Sequence, residues 1–425
     1  MRVYKPSGIE WLGEIPQSWK NVSIRSCFTE SNQRCNTDSY PLLSVTIANG
    51  IIYQDDIENK KDISNDDKSN YKIVPLNAVA YNKMRMWQGA VGVNTLTTGI
   101  VSPAYIVAIP NEKILPNFVS YLFKSKIMIG EFDKNSYGLC LDMNNLRYDD
   151  FRNIKIPLPP LQEQKEIAEF LDSKCEKIQN YIEKKQKLIT LLQEKKQALI
   201  NEAVTKGLNP NIEFKNSGIA YLGLIPHHWE VKKLKYVGKV VLGKMLYNEH
   251  QKGYSHCYYL KSKNLQWLNV EVSQIEKMWF SEYEKSLYRI KKDDLLVSEG
   301  GEVGKTCIWN NELAECYIQN SVHKITLNKF NNAKFFLYLF FTYGKLGVFD
   351  SVVSRVSIAH LVLEKLVNVD MVVPPLQEQK EIAAFLDSKV AQIDSAIEKT
   401  KRQIELVKEY KNTLINEAVC GRIDL

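Results

Sequence analysis

The chain writes one stretch of sixteen residues twice. Pro159–Lys174 reads PPLQEQKEIAEFLDSK, and Pro374–Lys389 reads PPLQEQKEIAAFLDSK, 215 residues later, with Glu169 against Ala384 the single difference. The same spacing returns LINEAV at Leu199–Val204 and Leu414–Val419. A second pair precedes these: Ser7–Trp19 (SGIEWLGEIPQSW) and Ser217–Trp229 (SGIAYLGLIPHHW) share SGI, LG, IP and the closing Trp at an offset of 210. Repetition at this period makes the chain two tandem units, each a lead-in segment, a globular domain and a repeated tail.

Each tail reads as one long helix. Pro160 and Pro375 suit the first helical position, where no N–H is needed. The interiors hold no Pro or Gly, and Gly207 and Gly421 stand just past the ends, as helix stops do. At 1.5 Å per residue such a helix is a rod of roughly 65 Å. Its apolar residues fall in two columns spaced by seven. In the first copy these are Leu171, Ile178, Leu192 and Leu199, beside Cys175, Ile182, Ile189 and Ala203. In the second they are Leu386, Ile393, Val407 and Leu414, beside Val390, Ile397, Ile404 and Ala418. Lys185 and Thr400 interrupt one column, Lys196 and Lys411 the other. Polar residues in such a seam cost stability and fix register. The seam predicts that the two helices pair with each other, and an internal twofold axis across them makes the pair antiparallel. Ordinary amphipathic helices on a globular core are the alternative. The expected fold class is α+β: two tandem mixed α/β domains joined by two long helices that form an antiparallel coiled coil, with internal pseudo-twofold symmetry. The expected boundaries are 1–157 for the first lead-in and domain, 158–206 for the central helix, 207–373 for the second lead-in and domain, and 374–425 for the C-terminal helix.

With 44% hydrophobic and 25% charged residues, the composition is that of a soluble globular protein. The longest apolar run, Phe335–Phe341, is too short to span a bilayer, and the N-terminus has no signal-peptide core. The eight cysteines never form C-x-x-C. A reduced, cytoplasmic protein is expected. The net charge of +7 sits mainly on the globular segments, +2 for residues 1–160 and +5 for 207–375, against +1 and −1 for the helices. This is a weak pointer to a polyanionic partner.

Turn-bounded β-formers predict strands at Pro41–Ile47, Tyr71–Val74, Asn77–Tyr81, Ala104–Ile109 and Ile154–Ile156 in the first domain. Helical spacing marks Pro116–Lys126 and Asn144–Phe151. In the second domain the strands are Cys257–Leu260, Asp294–Ser298, His323–Leu327 and Val369–Val373, with helices at Ala333–Tyr343 and Ile358–Leu366. Tyr121-Leu122-Phe123 matches Tyr338-Leu339-Phe340, and Phe132-Asp133 matches Phe349-Asp350. Elsewhere the domains differ freely. Duplicate rods suit two copies of one partner, and divergent domains suit two different targets.

Catalytic motifs are missing. Glu299–Thr306 (EGGEVGKT) approaches a P-loop, but Glu299 stands where G-x-x-x-x-G-K-[ST] needs its first Gly, so a glycine-rich turn between strands is expected. No G-x-G-x-x-G follows a strand. Glu163-Gln164-Lys165, an E-x-K of the kind found in metal-dependent nucleases, recurs at Glu378-Gln379-Lys380 and reads as a helix start. His227-His228, His250 and His256 lack Cys or carboxylate partners at metal-ligand spacing. No metal site and no cofactor are expected on this chain.

Polar and aromatic clusters remain. Tyr81–Gln88 (YNKMRMWQ) offers Asn82, Lys83, Arg85, Trp87 and Gln88 on a loop after a strand, residue types that read base edges in the major groove. Ser102 and Tyr105 follow. In the second domain the matching region offers Ser298, Glu299, Lys305 and Thr306, then Asn320 and His323, in rough correspondence with Ser102 and Tyr105. Glu299 is placed to accept from a cytosine amine. Lys261, Lys263 and Arg355 complete the candidate nucleic-acid face.

These features together resemble the specificity subunit of type I restriction–modification enzymes. The resemblance rests on the paired PPLQEQKEIA–FLDSK, LINEAV and SGI–LG–IP–W segments and on Tyr81–Gly92 and Gly99–Val107, and it spans the chain. It implies that each globular domain is a target-recognition domain reading one half of an asymmetric bipartite site in double-stranded DNA. It implies that the coiled coil sets the spacer and docks two methyltransferase subunits, and through them restriction–translocase subunits. Methyl donor, ATP and magnesium then belong to those partners, and the chain itself is non-catalytic. Two competing readings are a coiled-coil scaffold that binds only proteins and a nuclease built on the E-x-K.

Overall fold

The computed structural model describes residues 2–35, 40–57, 68–138, 144–250, 252–352 and 360–425. They form two compact units, Met1–Gln186 with Lys401–Leu425, and Lys187–Thr400. The divisions fall inside the long helices, so each unit holds part of both.

In the first unit, Lys20–Ser23 (β1) pairs antiparallel with Lys155–Leu158 (β6) and closes the domain at its root. Between them lie Phe28–Ser31 (β2), Val79–Asn82 (β3), Val91–Val93 (β4) and Tyr105–Pro110 (β5). These make an antiparallel sheet in the order β2-β5-β3-β4. Two helices, Pro116–Lys124 (α1) and Lys126–Lys134 (α2), supply Phe118, Phe123 and Phe132 to the core, which also buries Tyr81 and Phe151. Phe123 meets Phe132 and Phe151 edge-on at 5.6 and 5.7 Å. The predicted helix Pro116–Lys126 thus ends at Lys124, and a second helix, not expected from the sequence, follows it. Ser125 adopts an extended backbone, and its hydroxyl accepts from Met128 N at 3.3 Å, which caps the second helix.

The second unit repeats the plan. Glu230–Lys233 (β7) pairs with Asp370–Val373 (β12). Gly238–Leu242 (β8), Leu295–Ser298 (β9), Thr306–Ile308 (β10) and Val322–Leu327 (β11) form a sheet in the order β8-β11-β9-β10. Ala333–Lys345 (α4) is buried on most of its surface. A further sheet joins Glu276–Phe280, Ser255–Leu260 and Tyr317–Ile318, the last pair parallel, and of its strands only the central one is expected from the sequence, as Cys257–Leu260. Of the two other predicted helices, Asn144–Phe151 shrinks to Tyr148–Phe151. Ile358–Leu366 shrinks to Leu363–Leu366, and its start lies outside the described residues.

The rods are Leu161–Lys206 (α3) and Leu376–Val419 (α5). Gly207 and Gly421 end them in the left-handed conformation, both at φ 75°. In the first unit Ile167 and Leu171 share a core with Leu414, Ala418 and Val419. In the second, Ile200, Ala203 and Val204 share one with Ile382, Leu386 and Val390. In both, the start of one helix meets the end of the other, so the pairing is antiparallel. Every predicted seam position is buried or half-buried, whereas Leu188, Leu191, Leu406 and Tyr410, off the seam, are exposed. Two of the four polar breaks have hydrogen-bond partners here: Lys196 Nζ donates to Asp394 at 2.7 Å, and Thr400 Oγ1 donates to Ala396 O at 2.7 Å. No helix among the described residues is long and apolar enough to cross a membrane.

The repeated segments converge. In the first unit the buried Trp19 donates its indole N–H to Glu163 at 2.7 Å, and Ser18 and Arg2 donate to the same carboxylate. A Cβ on Gly421 would stand 3.0 Å from the Trp19 ring. In the second, Trp229 donates to Glu378 at 3.1 Å, with His228 Nε2 at 2.8 Å, and a Cβ on Gly207 would stand 3.3 Å from the Trp229 ring. Gln164 and Gln379, both fully buried, lock the helix starts. Gln164 Oε1 accepts from Leu115 N and Gln379 Oε1 from Asn332 N, each at 2.8 Å. The E-x-K is therefore a structural joint. Each joint combines a lead-in Trp, the start of the following helix and the end of the other one.

Candidate nucleic-acid interface

The first domain's candidates gather on the hairpin between β3 and β4. Asn82 Oδ1 accepts from Met84 N at 3.0 Å, which turns the chain out of β3. A single 3₁₀ turn, Met86–Gln88, then buries Met86 in the core and leaves Arg85 and Gln88 exposed. Lys83 and Trp87 are half-buried, and Trp87 donates its N–H to Met84 O at 3.1 Å. Gly89 closes the turn at φ 90°, where a Cβ would lie 2.9 Å from Ile129 of α2. Tyr105 pairs with Asn82 across β5 and β3. Burial raises its phenol pKa, and a hydrogen bond with Asn82 opposes that rise. Ser102 is half-buried just before it. No side-chain hydrogen bond or ion pair among the described residues occupies Lys83, Arg85 or Gln88. A residue that sequence reasoning missed supports this hairpin. Lys124, in the last turn of α1, donates to Gly89 O at 3.0 Å, Ile47 O at 2.7 Å and Thr46 O at 3.2 Å. Burial lowers its pKa to about 8.

The second domain places the glycine-rich Glu299–Lys305 turn at the same point of the same sheet, between β9 and β10. No helix follows it, so the turn is not a P-loop. Gly301 and Gly304 take positive φ, and a Cβ on Gly304 would collide with the Phe349 ring at 2.1 Å. Glu299 is half-buried. Burial raises its carboxyl pKa, while His360, with Nδ1 3.8 Å away, opposes the rise. Lys305 pairs with Glu302 at 2.9 Å, and Trp267 donates its N–H to that same carboxylate.

Three candidates here are corrected. Ser298 and Thr306 are buried, and their hydroxyls donate to Gly300 O and Gly304 O at 2.7 and 2.8 Å, so they shape the turn. His323 is fully buried, with Nε2 2.6 Å from Leu361 O, and burial lowers its pKa. Asn82 faces Tyr105 in the first sheet and Ser298 faces Val322 in the second, so His323 corresponds to Ile106. Val322, His323, Lys324 and Ile325 are all buried, so neither face of this part of β11 is open to a base.

Asn320 is half-buried and its Oδ1 accepts from Gln319. Lys261 and Lys263 both bond Glu276, at 2.5 and 3.3 Å. Hydrogen bonds from Lys261, Tyr259 and Lys263 hold that carboxyl down to about 2. Ser321 ties these segments to the hairpin: its Oγ accepts from Ser262 N at 3.0 Å and its carbonyl from Glu299 N at 2.9 Å. Arg355 lies outside the described residues. Among the described residues, Lys83, Arg85 and Gln88 of the first hairpin have no side-chain partner, whereas the second hairpin presents an internally paired set.

Both halves match the type I restriction modification DNA specificity domain, over residues 17–193 and 226–406. The chain is 28% identical over 338 residues to the type I restriction enzyme MjaVIII specificity subunit of Methanocaldococcus jannaschii, an alignment covering 76% of this chain and 74% of that one. The fold is similar to that of the HsdS subunit from Thermoanaerobacter tengcongensis, with a TM-score of 0.55 at 18% identity over 96% and 98% of the two chains. It is also similar to a chain from a structural study of complex assembly and conformational transition of the type I R-M system, with a TM-score of 0.72 at 16% identity over 96% and 99%. At such identities the likeness is one of fold. The two matched stretches take in most of the chain, including both sheets, both hairpins and much of both rods, and the protein belongs to the type I restriction–modification DNA specificity domain family.

Proposed function

We propose that this chain is the non-catalytic subunit that gives a type I restriction–modification complex its DNA sequence specificity. Each domain reads one half of a bipartite site in double-stranded DNA, and the halves differ because the domains differ. The observation that carries the reading is the pair of hairpins at one position of two matching sheets. One offers Arg85 and Gln88 and the other Glu299, on domains whose roots are duplicates. Arg suits guanine O6/N7, Gln suits adenine, and a carboxylate accepts from cytosine N4. Lys83 and Lys263 suit the phosphate backbone, which sets register without reading sequence. The duplicated rod surfaces fit two copies of a methyltransferase subunit, and restriction–translocase subunits would join through these. Methyl donor, ATP and magnesium are assigned to those partners. The paired helices are taken to set the spacer.

The test is an exchange. Replacing residues 20–157 by the corresponding domain of a relative, in cells that also carry the methyltransferase, should change one half of the methylated sequence and leave the other half intact. A change in both halves, or in neither, refutes the modular reading.

A further inference from the structure

In each domain one side chain ties the hairpin to a helix end and a small β-turn, from the helix in one case and from the turn in the other. In the first unit the grip is Lys124. Its ammonium spends its three protons on three carbonyls, Gly89 O in the hairpin and Thr46 O and Ile47 O in the turn between Leu43–Thr46 and Gly50–Tyr53. No carboxylate pairs with it among the described residues. The backbone packs closely here: a Cβ on Gly92 would lie 2.9 Å from Gly50 Cα, and one on Gly50 would lie 3.8 Å from Lys124 Cε.

In the second unit the grip is Trp267, in the turn between Leu265–Gln266 and Asn269–Val270. Its N–H donates to Glu302 in the hairpin, and the next residue, Leu268, donates N–H to Thr306 O at 2.9 Å. The ring rests on the end of α4. Phe341 meets it edge-on at 5.6 Å, and Lys345 Nζ lies 5.0 Å from its centroid. A Cβ on Gly344 would stand 2.0 Å from the ring, so only glycine leaves it room. The spacing that aligns Tyr121 with Tyr338 aligns Lys124 with Phe341. Helix end, small β-turn and reading hairpin therefore meet in both domains.

We infer that Lys124 and Trp267 are positioning residues for base discrimination, each holding the reading hairpin of its own domain against a helix end and a second turn. The inference rests on the reading of the hairpins proposed above. Base readout needs donors and acceptors held within hydrogen-bond geometry, and a loosened hairpin can adjust to a wrong base. Loss of the grip therefore relaxes discrimination while phosphate-driven affinity persists.

The experiment uses the full chain assembled with its methyltransferase. It measures binding to the cognate duplex, to duplexes with one altered base pair in either half, and to unrelated DNA. Lys124→Met, which keeps the stem and removes every donor, should cut discrimination at the first domain's half-site about tenfold, the scale of one good base contact. The second half-site and binding to unrelated DNA should stay within about twofold. Trp267→Phe, which keeps an aromatic side chain and removes the N–H, should do the reverse. Lys124→Arg, which restores donors, should recover most of the first half-site's discrimination. Unchanged discrimination in both variants, or equal loss at both half-sites, overturns the inference. Should Lys124→Met fail to assemble, Lys124→Gln and Trp267→Phe carry the same readings. Arg85→Ala is run alongside. If it leaves the first half-site unaffected, the hairpin reading itself fails; if it relaxes that half-site while Lys124→Met does not, only the positioning role fails.

Discussion

The joint around Trp229 makes a quantitative prediction. Trp229→Phe keeps an aromatic side chain beside Phe335 (edge-on, 6.4 Å) but removes the N–H that Glu378 accepts at 3.1 Å. A hydrogen bond to a charged group contributes about 1.5–3 kcal/mol. Glu378 keeps His228 at 2.8 Å, so the lower end applies, about 1.5 kcal/mol. At about 2–4 °C per kcal/mol for a unit of this size, the second unit should melt about 3–6 °C lower. Trp229→Ala should cost about 3–5 kcal/mol, because it also empties a buried site. Calorimetry of the full chain measures both, and a cycle of Trp229→Phe with Glu378→Gln isolates the contact. A coupling of about 1 kcal/mol or more is expected for groups in direct contact. If Trp229→Phe is neutral and the coupling falls below about 0.5 kcal/mol, the indole–carboxylate bond does not hold the segments together and the joint is apolar packing alone.

Two further outcomes follow from the same geometry. Burial lowers the His323 pKa, so the folded chain binds this proton less readily than the unfolded chain does. Its contribution is fully present above the unfolded value of about 6.5. It is lost as pH falls from there through the folded pKa, at up to about 1.4 kcal/mol per pH unit. Denaturant titrations of His323→Ile, which installs the residue found at the equivalent Ile106, should show a flatter stability profile below pH 6.5, and an unchanged slope would refute the assignment. For DNA, Lys83→Ala should weaken binding to all sequences alike and lower the salt slope by about one, whereas Arg85→Ala should cost about 1–3 kcal/mol at one base pair of the cognate site; a sequence-selective effect of Lys83→Ala would reverse the assigned roles.

How much of this was legible in the sequence depends on the kind of contact. The rods were readable to within two or three residues at their starts, because heptad spacing, Pro160 and Gly207 are local signals. The seam columns fell on the buried face because their period is set by the helix itself. Trp19 and Glu163 were each visible as repeated residues, but nothing local says that an indole reaches a carboxylate 144 positions away. His323 was misread because β11 is covered on both faces there, Val322 and His323 alike, whereas the polar pair His323-Lys324 reads as exposed. Lys124 left no trace at all. Its acceptors are backbone carbonyls, which every residue carries, so no sequence pattern marks them. The Glu276–Phe280 strand was hidden by Glu276 and Lys277, which alternate with nothing apolar at its start.

The joints also give a physical reason for the uneven repetition. Ile200, Ala203 and Val204, from LINEAV of the first copy, pack in the second unit with Trp229 and with Ile382 and Leu386 of the second copy. Leu414, Ala418 and Val419 of the second copy pack in the first unit with Trp19, Ile167 and Leu171. A lead-in segment must therefore fit its own helix start and the other copy's helix end at once. A substitution in any of the three segments disturbs two partners, and a compensating change would have to arise in the opposite half of the chain. The hairpins carry no such condition. Among the described residues their exposed tips touch neither root, so the tip accepts Arg and Gln in one domain and a glycine-rich acidic turn in the other. Antiparallel pairing thus ties the two roots to one sequence and leaves the reading edges free to differ.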